Sequence, residues 1–338
     1  MNRFLVGFCL GIMLSACEVG ITNSPEKIQD DTSETEDEVT SEAEEEEPAE
    51  DETGVEDISE DDTEEPEEDA EEPLVDFSQI GPFSVTIDNR TASVTDCPSM
   101  SYRVYTPSAD DPPVVVLGHG FARGSNVMVG WAEHLASWGI EVLLPTLCHY
   151  NVFFGVDHEM NGQNMVELAT LHGSTSVAYG GHSAGGLAAI IATSKDPASM
   201  GVIGLDITDT EGIPGVDDFI GREYAPQIEQ RAFSIVGEPS SCNSENNGID
   251  LFRMMENYRI IKITSSDHCD FENPTNSICT AACENSVETF TNSEIRESIT
   301  VLVTAALIYI TEISEDGMFV WEEGLLDLRD AGLIVDIE

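Results

Sequence analysis

The chain has 338 residues, with 66 aspartates and glutamates against 13 lysines and arginines and a net charge of −53. About half of that charge sits in one amino-terminal segment, and the remainder of the chain is still acidic, with Lys195 and Lys262 as its lysines. A balance of this kind argues against nucleic acid, polyphosphate or an anionic membrane surface as partner, because each would be repelled before contact.

In chain order, the first segment is MNRFLVGFCLGIMLSAC, one positive charge followed by an apolar run shorter than a membrane span, which reads as a signal peptide over residues 1–17. Its end, Leu14-Ser15-Ala16-Cys17, resembles a bacterial lipobox. That resemblance implies a lipid on Cys17, which would become the mature amino terminus, and a cell-envelope protein anchored at the outer membrane or cell surface. Residues 18–76 follow, with runs such as EAEEEEP and SEDDTEEPEEDAEEP, and Lys27 as the sole basic side chain. Self-repulsion and the lack of buriable surface predict an extended, disordered tether.

Residues 77–314 are long enough for one sizeable domain and show no internal repeat. Phe83 to Ile87 and Tyr102 to Tyr105 alternate like edge strands, and Pro113 to Leu117 (PVVVL) reads as a buried strand ending in Gly-His-Gly. Val127 to Trp138 has helical spacing, Ile140 to Leu144 is a strand closed by Pro145, and a helix is expected near Gln163 to Leu171. Next come a strand at Ser176 to Tyr179, a helix start at Leu187 to Thr193, and strands at Val202 to Leu205, Phe233 to Val236 and Ile260 to Ile263. An apolar helix near Ser298 to Ile310 completes the pattern, and residues 315–338 read as an acidic extension. Strands alternating with helices predict an α/β fold with a mostly parallel sheet covered on both faces. Reactive residues should then lie just after strands, at the carboxyl ends of the sheet.

The stretch YGGHSAGGLAA provides the first candidate, because G-x-S-x-G between a strand and a helix lifts a serine hydroxyl out of a tight turn. Ser183 is therefore the candidate nucleophile. Its base should be a histidine, which can take and return a proton near neutral pH. Of the seven histidines, His268 in RIIKITSSDHCDF follows the last strand and lies downstream of the serine. Three carboxylates compete as the acid that orients it: Asp206 at the tip of GVIGLD, Asp209 three residues later, and Glu238 after the next strand. An oxyanion hole needs two N–H groups, expected from Ala184 after the nucleophile and from Phe121 in the turn after VVVLGHG. Phe121, His149, Tyr150, Phe153 and Phe154 read either as an aromatic cleft lining, with His149 as a substrate-binding residue, or as core. Cys97, Cys148, Cys242, Cys269, Cys279 and Cys283 form an even set, which favours disulfides in an exported protein over the paired short spacings of a zinc site. No metal or organic cofactor is expected.

The order VVVLGHGF, ASWGIEVLLP, GGHSAGG, GLD and SSDHCDF resembles the chlorophyllase and polyester-hydrolase branch of the α/β-hydrolase superfamily over about Val114 to Phe271. The resemblance implies an α/β-hydrolase fold, a carboxylesterase working through an acyl-enzyme, and Asp206 as the acid through the GLD segment. From the polyester hydrolases it implies a bridge joining Cys269 to Cys242. The expected partner is a small-molecule or polymeric ester, apolar or aromatic, and the expected state is a monomer. Two other readings remain at this point: a catalytically inactive surface-binding lipoprotein on the same scaffold, and an acyltransferase or peptidase using the same residues.

Overall fold

Along the chain, strands β1 (Val85–Val94) and β2 (Cys97–Pro107) form an antiparallel hairpin that turns at Asp96, where φ is 54°. Then come β3 (Val114–Gly118), helix α1 (Val129–Ser137) and β4 (Glu141–Pro145). A small separate hairpin of β5 (Tyr150–Asn151) and β6 (Gly155–Val156) precedes α2 (His158–His172), β7 (Val177–His182), α3 (Ala184–Lys195) and β8 (Ser199–Leu205). Strands β9 (Arg231–Val236) and β10 (Asn257–Ile263), the long helix Asn292–Ile310 and a last strand, β11 (Ile334–Asp336), follow.

In this computed structural model the described residues are 75–151, 155–209, 219–283 and 286–337, all within the unit Asp69–Glu338. The expected signal peptide, Cys17, all but the last two residues of the expected tether, and Phe153 and Phe154 lie outside the described residues.

The nine-stranded sheet has the order β1-β2-β4-β3-β7-β8-β9-β10-β11. Strands β4, β3, β7, β8, β9 and β10 pair in parallel, whereas β2 meets β4 antiparallel. The central strands are apolar without alternation, VVVLG in β3 and VAYGGH in β7 being buried throughout, as strands covered on both faces must be. One face carries α1 and the helix Asn292–Ile310, packed with Trp131, Leu135, Ile299 and Leu302. The other carries α2 and α3, through Met165, Leu168, Leu187 and Ile191. Helix ends follow local chemistry: Asp157 caps α2 by accepting from Met160 N (2.9 Å), Gly173 ends it in the left-handed conformation, and Thr291 caps the long helix.

Each strand and helix expected from the sequence is present, mostly longer by one to a few residues. One boundary moves. Residues 315–338, read from the sequence as an extension beyond the domain, pack into it. Trp321 lies 4.7 Å, ring to ring, from Phe233 and donates from Nε1 to Leu302 O (3.0 Å), and β11 pairs antiparallel with β10 at the sheet edge. The acidic surface of this segment hid its few buried residues, among them Val320, Trp321, Leu333 and Ile334. Trp321→Ala is expected to lower stability by about 3–5 kcal/mol, the usual cost of emptying a buried tryptophan site. Denaturant unfolding measures it, and a change under 1 kcal/mol would return the segment to the status of an appendage.

Candidate active site

The loops after β3, β7, β8, β9 and β10 gather at the carboxyl end of the sheet. Strand β7 ends at His182, α3 begins at Ala184, and Ser183 between them has φ 54° and ψ −123°, a conformation that side chains avoid unless their surroundings impose it. The surroundings here are glycines. A Cβ on Gly181 would lie 2.5 Å from the carbonyl carbon of Gly185, and one on Gly185 would lie 2.5 Å from Gly118 C and His119 O. Ser183 N donates to Leu205 O (3.0 Å), so the turn continues the β7–β8 ladder.

The three candidate carboxylates have separate surroundings. Asp206, fully buried at the tip of β8, lies with Oδ2 2.6 Å from His268 Nδ1. Its Oδ1 accepts from Gly237 N (2.9 Å), and Asn243 Nδ2 donates to both oxygens (3.3 and 3.2 Å). Glu238 instead takes Lys262 Nζ at 3.2 Å and Ser265 N at 3.2 Å, and makes no contact with the histidine among the described bonds. Asp209 accepts from Gly221 N (3.4 Å), and its N–H donates to Asn247 Oδ1 (3.0 Å). Burial pushes its carboxyl up to about 6.

His268 opens a short helical turn, His268–Phe271, straight after the β10 loop. Its carbonyl accepts from His182 Nε2 (2.9 Å), and the two imidazoles lie 4.5 Å apart between centroids. His182 must therefore carry its proton on Nε2, and burial together with the neighbouring His268 holds its pKa well below the ordinary value. His119 is neutral for a similar reason: Leu147 N donates to its Nε2 (3.0 Å), Nδ1 faces Gly120 O (2.9 Å), and burial lowers its pKa to about 4. Among the described hydrogen bonds none joins the Ser183 hydroxyl to His268, whose Nδ1 is turned to Asp206.

Phe121 lies in a turn closed by Arg123 N to Gly120 O (3.3 Å). A Cβ on Gly120 would stand 3.4 Å from Ser183 Cβ, so this turn lies directly against Ser183. Among the described residues neither Phe121 N–H nor Ala184 N–H has a hydrogen-bond partner. The Tyr150 ring stands edge-on to Phe121 (6.4 Å) and His119 (5.6 Å). His149 is held by its backbone, donating to Asn161 Oδ1 (3.0 Å) and accepting from Asn161 Nδ2 (3.1 Å), and its Nε2 is buried without a partner among the described residues.

The cysteine pairing expected from the polyester-hydrolase resemblance is not the one found. Cys269 pairs with Cys279, Cys242 with Cys283, and Cys97 with Cys148. Cys279 and Cys283 are one turn apart on the helix Ser277–Cys283, so a single helix gives one cysteine to the loop after β9 and one to the loop after β10. The two bridges lie side by side, which is why the sulfurs of Cys269, Cys279 and Cys283 fall within 4.8 Å of one another.

Two supporting residues escape sequence reading. His182 reads as part of a tight turn and Asn243 as a loop amide in SSCNSENNG; that one holds the histidine backbone and the other the aspartate appears only once β7, β8, β9 and β10 are side by side.

No protein-family model matches the sequence, and a search of curated proteins finds no match. Among solved structures the chain is similar to the ferulic acid esterase from Streptomyces cinnamoneus, with a TM-score of 0.55 and 12% identity, covering 76% of this chain and 96% of that one. The fold is that of the α/β-hydrolases.

The raised pKa of Asp209 yields a pH dependence. Between its ordinary value of 3.8 and about 6 the folded chain keeps a proton that the unfolded chain releases, so this group weakens the fold progressively as pH rises through that window. Asp209→Asn is expected to raise stability by up to about 2 kcal/mol near pH 8 and to leave it almost unchanged near pH 4. Equal effects at both pH values in thermal unfolding would show that Asp209 does not titrate in this range.

Proposed function

We propose that the domain is a serine carboxylic-ester hydrolase acting through an acyl-enzyme. The observation that carries this reading is the buried contact of Asp206 Oδ2 with His268 Nδ1 (2.6 Å), in a chain whose Ser183 sits on the strained turn between β7 and α3. With Nδ1–H directed at the carboxylate, His268 Nε2 is the free lone pair that takes the serine proton. Ser183 Oγ then adds to the ester carbonyl, and the N–H groups of Phe121 and Ala184 receive the developing oxyanion, the latter at a helix start that favours negative charge. The imidazolium returns its proton to the leaving alcohol. A water activated by the same histidine releases the acid in a second addition and collapse. Each step uses side chains and backbone of this chain, with no cofactor in the scheme.

The substrate class proposed is a neutral small-molecule or polymeric ester with an apolar or aromatic group. The Phe121 and Tyr150 rings, edge-on to each other at the turn that adjoins Ser183, support it, as does a structural neighbour described as a ferulic acid esterase. The GHGF, GHSAGG and GLD segments support a place near the chlorophyllases and polyester hydrolases, although the Cys269–Cys279 bridge departs from the latter.

The purified protein is expected to hydrolyse short and medium p-nitrophenyl esters and to be labelled by a fluorophosphonate at Ser183. Ser183→Ala and Asp206→Asn should each lower kcat/KM by at least about 1000-fold. Turnover that survives Ser183→Ala would sink the mechanism, and a folded parent that neither turns over nor labels would favour a binding scaffold.

The amino-terminal pattern supports an envelope lipoprotein whose acidic residues 18–76 hold the domain off the membrane. Among the described residues no helix is long and apolar enough to cross a membrane. Radiolabelled palmitate supplied to expressing bacteria should enter the protein and be absent from Cys17→Ala; equal labelling of both would remove the lipid from this account.

A further inference from the structure

Arg123 and Glu272 form an ion pair that the mechanism above does not use. Nε and Nη2 of Arg123 donate to the two carboxylate oxygens of Glu272 at 2.6 and 2.5 Å, and the Glu272 side chain is wholly buried. Two parallel bonds between a planar fork and a carboxylate fix orientation as well as distance. The pair joins two loops that are far apart in sequence. Arg123 ends the turn that carries Phe121, and Glu272 ends the turn that opens with His268, its N–H donating to Cys269 O (3.2 Å).

The Gly120–Arg123 turn needs such a hold. Ala122 sits at its centre with φ 56°, a left-handed conformation that a non-glycine residue keeps only where its neighbours impose it. Two bonds at Arg123 impose it here: the side-chain fork to Glu272, and the Arg123 carbonyl, which accepts from Tyr150 OH (2.6 Å). The other links between these loops lie further along. Gly130 N donates to Asn273 O (2.7 Å), Asn273 N to Val127 O (2.7 Å), and Trp131 Nε1 to Phe271 O (2.8 Å). These bonds secure the start of α1, not the Phe121 turn.

We infer that Arg123 and Glu272 are positioning residues that lock the Phe121 oxyanion donor to the loop of the catalytic histidine. The inference rests on the ester-hydrolase reading. Donor and base are then set by one link, so that the N–H of Phe121 keeps its distance from the reacting carbonyl while the imidazole keeps its own. The pair acts on the transition state, where the oxyanion exists, and hardly on the bound ester, whose carbonyl carries little charge.

The test uses two variants of the full chain. Arg123→Lys keeps the charge and loses the fork; Arg123→Met combined with Glu272→Gln removes both partners, so neither member of the pair is left charged against a neutral one, and Arg296 keeps Asp270 as its acidic neighbour. Tm, kcat and KM on p-nitrophenyl butyrate, the pH–rate profile, and the affinity for a trifluoromethyl ketone that forms a tetrahedral adduct are measured for each and for the parent. The expected result is a 10- to 100-fold fall in kcat for the Arg123→Lys protein, with KM within about threefold of the parent. Ketone affinity should fall by the same factor as kcat/KM, and the acidic limb of the pH profile should not move. The double variant should behave alike, with Arg123→Lys deciding the matter if the double variant does not fold. A folded Arg123→Lys protein with a lowered Tm but unchanged kcat and ketone affinity overturns the inference, as does a rise in KM at constant kcat. A parent that shows neither turnover nor fluorophosphonate labelling overturns the hydrolase reading itself, and the inference with it.

Discussion

The close approach of three backbones at Gly118, Gly181 and Gly185 is the constraint on which the site depends. Helix α3 can start immediately after β7 only if its first turn sits against the end of β3, and a single methyl group at Gly185 would meet Gly118 C and His119 O at 2.5 Å. That crowding forces Ser183 into its unusual backbone conformation, at a tip where no sheet or helix hydrogen bond claims its side chain. The strain is local and is offset by the apolar burial of α3 and β7, whose residues are almost all inaccessible to water.

Around this turn the buried carboxylate of Asp206 and the amide of Asn243 are each provided with partners. Asp206 has Gly237 N–H, Asn243 and His268; Asn243 in turn donates to Glu238 O (2.8 Å) and accepts from Ser240 N (2.8 Å). With partners on both oxygens, Asp206 is fixed in place and orients the His268 ring. His119 and His182, by contrast, are buried without a carboxylate and remain neutral. They act as hydrogen-bonding spacers between loops. What each of the three buried histidines does is thus a matter of which neighbour it meets.

The disulfides serve the same geometry. Cys242–Cys283 ties down the loop that holds Asn243, and Cys269–Cys279 ties down the turn that opens with His268. Both are anchored on one short helix, so the loops that carry Asn243 and His268 share a covalent foundation. Such links restrict the unfolded chain without requiring further burial.

Much of this was legible in the residues themselves. Continuous apolar runs such as VVVLG and VAYGGH gave the buried strands, glycine spacing marked the serine turn, and the order of Ser183, Asp206 and His268 along the chain matched the loops in which they lie. These are local signals, carried by burial, by backbone freedom and by period. Pairing is not local. Whether Asp206, Asp209 or Glu238 faced the histidine turned on which neighbours filled each loop: Lys262 occupied Glu238, Gly221 and Asn247 took Asp209, and Asp206 was left to His268. The cysteine partners and the packing of Trp321 were decided the same way. The sequence by itself determined the alternation of strands and helices and the turn that presents Ser183, because those follow from contacts between near neighbours. Only the tertiary structure decided which side chains meet, because that depends on the distances between strands far apart in the chain.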